Sequence, residues 1–285
     1  MTTDQAKVAR WYDARAEWEW NRTFNSRVEF AVTLRVLQDH LPPPPAAVLD
    51  VGGGPGRYAI ELAQLGYDVT LFDLSAACLD VARHKAAACA VTLASYVLGS
   101  ATDLTGFGDG TFAAVLSLGP FYHLLEEAER RTALRELSRV LAPDGVAVAA
   151  FLSRFAPARY WAHEAPERLA KEMDHNLQIL ETGRIVTADD PAKGWVDAYC
   201  ELPEEVPRFM EAGGFRTLAL VGAEGVSDLA HDKAASVPDD LWTDYVELNY
   251  RLGREPSLLG SAQHILYVGR KATARPTHAS VPKSV

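Results

Sequence analysis

The stretch VLDVGGGPGRYA, residues 48–59, constrains this chain more than any other. An apolar, β-prone run ends on Asp50, and a cluster of glycines follows at once. A second run, DVTLFDLS at 68–75, ends on another acid, Asp73. Residues without a Cβ let the backbone turn sharply and approach a ligand closely. A strand that breaks into glycines before a helix therefore marks a ligand edge at the carboxyl ends of an α/β sheet.

The surrounding pattern agrees with that edge. Strand-like segments lie near 47–52, 68–73, 92–99, 112–118 and 145–151, with helices predicted at 56–65, 75–88 and 123–141. Ser75 is placed to cap the second helix, and Gly66 to stop the first. Leu134, Leu137, Val140 and Leu141 share one face of the third, which APDG ends. Two later runs, 215–221 and HILYVGR at 264–270, bring the strands to seven. Alternation of this kind predicts an α/β fold, a Rossmann-like, doubly wound, mostly parallel seven-stranded sheet with helical lid and cap inserts.

The divisions follow composition. Residues 1–45 read as an N-terminal helical lid rich in aromatics (Trp11, Tyr12, Trp18, Trp20, Phe24), joined to the sheet by the stiff LPPPPAA spacer. Residues 46–151 form the sheet core. Residues 152–202 hold no clear strand and read as a helical cap insert containing Phe155, Tyr160, Trp161, Trp195 and Tyr199. Residues 203–270 close the sheet, with a second helical insert at 226–258, and 271–285 have the composition of a disordered tail.

Composition excludes several classes. No apolar run among the 285 residues approaches the ~18–20 needed to span a bilayer, and the N-terminus lacks a signal-peptide pattern. Three cysteines without CxxC spacing predict reduced thiols and a cytoplasmic protein, not a disulfide frame or zinc site. A net charge of −10 without basic runs argues against nucleic acid as a partner.

The glycines also discriminate among nucleotides. A dinucleotide site wants G-x-G-x-x-G, but counting from Gly52 the third position falls on Arg57, which speaks against a nicotinamide oxidoreductase. No Lys follows Gly56 as a phosphate-binding loop requires. What fits is D-x-G-x-G-x-G: Asp50, Gly52, Gly54 and Gly56. With it, VLDVGGGPGRYAIELAQLGYDVTLFDLS, VLGSATDLTGFGDGTFAAVLSLGPFYHLLE and ELSRVLAPDGVAVAAF resemble, in order, the motifs of the class I S-adenosylmethionine-dependent methyltransferases. The likeness covers 46–151 well and 203–270 weakly. It is nearest the small-molecule group that includes the ubiquinone and menaquinone C-methyltransferases.

The resemblance implies S-adenosylmethionine as cofactor. Gly52, Gly54 and Gly56 would cradle the methionyl chain, Asp73 would accept from the ribose hydroxyls, Leu74 would lie on the adenine, and Asp50 would reach the ammonium or order the loop. Ser117 and Leu118 complete the expected cofactor set, with Tyr12 and Arg22 closing over the methionine carboxylate and Arg57 as a rival. Two positions depart from the family. Ser100 stands where an adenine-binding acid is common, so either Ser100 or Asp103 serves, with Ala101 offering its backbone N–H. Ala113 replaces a frequent supporting acid.

The segment after the fourth strand, SLGPFYH, lacks the D/N-P-P-Y/F acceptors of amino-base methyltransferases and the clustered acids of metal-dependent ones. The expectation is metal-free transfer to a small molecule, with O, N or C as nucleophile. His123 is the candidate base and Tyr122 its alternative; a helix-capping role for His123 stays open. His264, in an apolar run, reads as a core histidine. The alternative function is a regulatory protein that binds the cofactor without transfer.

Overall fold

The computed structural model describes residues 2–187, 196–224, 234 and 236–272. Five strands, β1 (Ala47–Val51), β2 (Asp68–Asp73), β3 (Ser95–Leu98), β4 (Phe112–Ser117) and β5 (Leu141–Ser153), run parallel in the order β3-β2-β1-β4-β5. Further strands are β6 (Arg184–Ile185), β7 (Ala198–Glu201), β8 (Phe215–Gly222) and β9 (His264–Lys271). β9 runs antiparallel beside β5, and β8 antiparallel beside β9, which gives the expected seven; β7 and β6 extend the sheet from the end of β5 to nine strands among the described residues. The strand order reverses between β1 and β4, the crevice where open α/β sheets bind ligands.

Alternation along the strands explains the layers. Val48, Val69 and Leu71 face one apolar layer, while Leu49, Val51 and Phe72 face the other. The first layer receives α3 (Arg27–His40), α4 (Arg57–Gln64), α5 (Ala76–Ala88) and, from the second insert, a helix at Asp239–Gly253. The second receives α6 (Pro120–His123), α7 (Glu127–Val140) and a helix at Val206–Glu211. Upstream lie α1 (Thr3–Asp13) and α2 (Ala16–Asn25); after β5 come α8 (Ala156–Glu164), α9 (Pro166–Lys171) and α10 (Met173–Thr182).

Several expectations are corrected. The single helix at 123–141 is two, because Pro120 starts α6 and Leu124 adopts extended backbone before α7 begins. β5 starts at Leu141, pairing with Phe112 across an irregularity that includes Asp144 at φ 59°. The segment 152–202 does contain strands: β7 pairs with the end of β5 at Leu152 and Ser153, and β6 pairs with β7. Strands this short leave no period to read. α3 is no loose lid, because Val32, Val36 and Leu37 are fully buried in the sheet's own core. Trp195, most of 226–235 and the tail from 273 lie outside the described residues.

Candidate active site

A cleft opens at the carboxyl ends of β1, β2 and β4. Asp50 ends up there because β1 places it opposite Leu71 and Leu116, fully buried at the centre of the sheet. Neither of its carboxylate oxygens has a hydrogen-bond partner. Burial, reinforced by the nearby Asp73 charge, pushes it up to about 7. The following turn needs glycine at Gly52: its φ is 69°, and a Cβ there would meet Pro120 Cγ at 2.5 Å.

Asp73 closes the loop from the next strand. Its Oδ2 accepts the Gly54 N–H at 2.7 Å and its Oδ1 the Ser75 N–H at 2.7 Å. Burial raises Asp73 to about 6, against these two bonds, which favour the carboxylate. Ser75 caps α5 as expected, accepting from Cys78 N at 3.1 Å. Its hydroxyl also donates to Asp13 Oδ1 at 2.6 Å, which ties the end of α1 to the same helix start.

Tyr12, Asp50, Gly52, Gly54, Asp73, Leu74, Ser100, Ala101, Leu118, Tyr122 and His123 all line this cleft, as do Arg22 and Arg57. Gly56 and Ser117 do not. Gly56 begins α4 at φ 80°, where a Cβ would sit 3.1 Å from Ala82 Cβ, so its bareness serves helix packing. Ser117 is buried at the end of β4, its hydroxyl without a partner. Asp103 turns away to Thr105, accepting from its backbone N–H at 3.1 Å and its hydroxyl at 2.6 Å. Ser100 lines the cleft, linked to Thr102 Oγ1 at 2.8 Å.

His123 is not a helix cap. Its Nε2 lies 2.8 Å from Tyr12 Oη and its Nδ1 3.3 Å from the Asp197 carbonyl oxygen. Burial lowers it to about 4, so it is neutral at pH 7. Tyr122 donates to the Leu118 carbonyl at 3.1 Å. Gln5, Val8 and Glu19 also line the cleft, beyond the residues that the sequence motifs mark. Glu19 has a signal, standing three positions before Arg22, to which it is paired at 2.8 Å.

Beyond Tyr12 and His123 lies a second cavity of about 550 Å³. It shares Tyr12, Glu19, Arg22, Tyr122 and His123 with the cleft, and Trp11, Trp18 and Tyr160 add aromatic wall. His264 is buried, as the core-histidine expectation has it, but it also lines the cavity, and its ring pairs with Glu224 at 2.5 Å.

Residues 48–145 match the model of a methyltransferase domain. The chain is 31% identical over 185 residues to the ubiquinone biosynthesis O-methyltransferase of Xanthomonas axonopodis pv. citri (strain 306), covering 63% of this chain and 73% of the relative. The chain belongs to the class I S-adenosylmethionine-dependent methyltransferases. It is also 26% identical over 249 residues, 85% of each protein, to the tRNA 5-carboxymethoxyuridine methyltransferase of Escherichia coli (strain K12). In fold, this methyltransferase is similar to an S-adenosylmethionine-dependent methyltransferase from Methanosarcina mazei, with a TM-score of 0.58, 17% identity, and 84% of this chain and 98% of that one covered.

Membership makes S-adenosylmethionine the cofactor, and the residues of the cleft fit it. An unpartnered, fully buried carboxylate at Asp50 is costly alone and suits a cationic ligand. A Cβ built on Gly54 would meet nothing within 4 Å, so the loop leaves open space beside it. The cofactor supplies a methyl group on a sulfonium leaving group. Among the described residues, no helix of this methyltransferase is long and apolar enough to cross a membrane.

Proposed function

We propose that this methyltransferase acts without a metal on a small-molecule acceptor bound in the aromatic cavity. The observation that carries the reading is the shared wall: five side chains border both the cofactor cleft and the cavity. Asp50, Asp73, Leu74, Ser100, Ala101 and Leu118 hold the cofactor, while Tyr12 and Tyr122 bound the passage between the two spaces. Holding nucleophile and methyl in line is the main catalytic contribution, worth up to ~7–11 kcal/mol in ideal cases. Metal independence is supported by the state of the acids: Glu19 and Glu29 pair with Arg22 at 2.8 and 2.9 Å, and Glu224 pairs with His264.

His123 acts by position and not as the base. Neutral and hydrogen-bonded on both nitrogens, it holds Tyr12 against the cleft. In this reading α1 and α2 form the lid, the first insert caps the cavity, and the enzyme works in the cytoplasm with Cys78, Cys89 and Cys200 as free thiols.

The name of the Escherichia coli relative supports a second reading, tRNA as acceptor, against which the net charge of −10 weighs. Incubation with methyl-labelled S-adenosylmethionine and either a metabolite extract or total tRNA separates the two. Label in the small-molecule fraction supports the proposal; label confined to tRNA overturns it.

A further inference from the structure

We propose that His264 is the acceptor-binding group of the aromatic cavity, and that the acceptor presents an acidic oxygen, a phenol or enol, which His264 Nε2–H holds as the oxyanion. The proposal rests on the reading of this cavity as the acceptor site.

The placement of His264 is fixed by the backbone. It opens β9, paired with Leu152 of β5 at the end of the sheet, and it lines the cavity together with Tyr122, whose ring centroid is 5.9 Å away. Its Nδ1 lies 2.5 Å from Glu224 Oε1. The other carboxylate oxygen of Glu224 accepts the backbone N–H groups of Gln263 at 3.2 Å and His264 at 2.9 Å. Two backbone amides on Oε2 anchor the Glu224 carboxylate so that it cannot swing away, and Oε1 is left to accept from the ring. Nδ1 is therefore a donor, and Nε2 is the nitrogen left for the cavity, with no protein partner among the described residues.

The charges around the ring select the kind of acceptor. Glu29 Oε1 is 3.9 Å from Nδ1, and its Oε2 is held by Arg22 at 2.9 Å. Burial disfavours the imidazolium and Arg22 opposes it, but Glu224 and Glu29 outweigh both and bring the ring up to about 9. At neutral pH His264 thus carries hydrogen on both nitrogens and cannot accept a proton. The wall carries three acids, Glu19, Glu29 and Glu224, against three cations, Arg15, Arg22 and His264, so a cationic amine finds no surplus of counter-charge. An oxyanion finds a charged donor.

The chemistry balances. The acceptor gives its proton to solvent on binding and lies against His264 as O⁻. Transfer forms the O–CH₃ bond and breaks the S–CH₃ bond, and the negative oxygen and positive sulfonium charges cancel. No base is required at that moment, which agrees with a His123 that is not placed to be one.

The test uses the full chain saturated with S-adenosylhomocysteine, whose binding is first measured by calorimetry. The probe is 4-nitrophenol, which changes absorbance on ionisation, with 4-nitroaniline as its neutral amine counterpart. The expected result is a bound phenolate whose ionisation is displaced about tenfold or more toward the anion, and binding of 4-nitroaniline at least about tenfold weaker. His264→Gln should abolish the displacement while leaving the S-adenosylhomocysteine dissociation constant within about twofold. The wild-type comparison of the two probes stands even if that variant folds poorly. With S-adenosylhomocysteine bound normally, no phenolate shift in the wild type, or equal binding of the amine, overturns this proposal alone. So does uptake of added Zn²⁺ that His264→Gln abolishes, since the ring would then be a ligand. Failure to bind S-adenosylhomocysteine at all overturns the cofactor reading, and this proposal with it.

Discussion

Tyr12 Oη lies 2.8 Å from His123 Nε2, joining the N-terminal segment to the end of α6 across 111 positions of sequence. The Asp197 carbonyl can only accept, so His123 Nδ1 carries the hydrogen and Nε2 receives the one from Tyr12. Tyr12→Phe leaves that buried nitrogen unsatisfied, at a cost of roughly 1–3 kcal/mol. The expected outcome is a melting temperature lower by about 2–10 °C and a several-fold weaker cofactor complex, read by calorimetry. His123 also makes stability pH-dependent. Its folded value, about 4, lies below its usual 6.5, so its contribution is complete above 6.5 and lost as pH falls toward 4. His123→Gln should flatten that part of a stability–pH curve; an unchanged curve would contradict the assignment.

Asp13 fastens the same segment from the other side. Its Oδ1 accepts the Ser75 hydroxyl at 2.6 Å and the Ala77 N–H at 3.2 Å, adding a carboxylate to the start of α5. Asp13→Ala should cost about 0.5–2 kcal/mol, the usual range for a lost cap. Hydrogen exchange should accelerate in residues 2–25 and stay slow in β1, β4 and β5. Equal acceleration throughout would mean that the segment and sheet open as one unit.

Asp50 makes cofactor binding pH-dependent. With its ionisation near 7 before binding, a cationic ligand must displace a proton at lower pH. Affinity for S-adenosylmethionine should fall by up to about tenfold per pH unit below 7, with proton release visible as a buffer-dependent heat. The sign for stability is opposite. The folded value lies above the unfolded 3.8, so Asp50 favours the fold most at low pH and that contribution is lost as pH rises through 7. At pH 8 and without ligand, Asp50→Asn should therefore raise the melting temperature by a few degrees, on the order of 1 kcal/mol or more, while weakening S-adenosylmethionine binding. A variant less stable than wild type at pH 8 would contradict this.

What was legible in the sequence was whatever local pattern sets. The glycine loop, the acids at the ends of β1 and β2 and the Ser75 cap follow from short-range backbone chemistry, and all occur where expected. Contacts between distant segments were not legible. Nothing near His123 names Tyr12 as its partner, and nothing near His264 names Glu224, 40 positions upstream. The apolar run around His264 predicts burial, and the residue is buried; that it also borders a cavity at the sheet end is set by distant segments that the run does not show. Helix propensity carries no information about which face of α3 is covered, so the sequence alone does not separate it from the lid; Val32, Val36 and Leu37 place it in the core.

Asp73→Ala decides whether the cleft beyond β1, β2 and β4 is the cofactor site. Besides its expected bonds to the ribose, this carboxylate holds the glycine loop through Gly54 N at 2.7 Å. Charge-assisted hydrogen bonds are worth ~1.5–3 kcal/mol each, and 1.4 kcal/mol is about a factor of ten in affinity. Calorimetric titration with S-adenosylhomocysteine should give one site per chain in the wild type, weakened at least about tenfold in Asp73→Ala, and no binding of NADH to either. An unchanged dissociation constant in the variant, or saturable binding of NADH, would contradict the account.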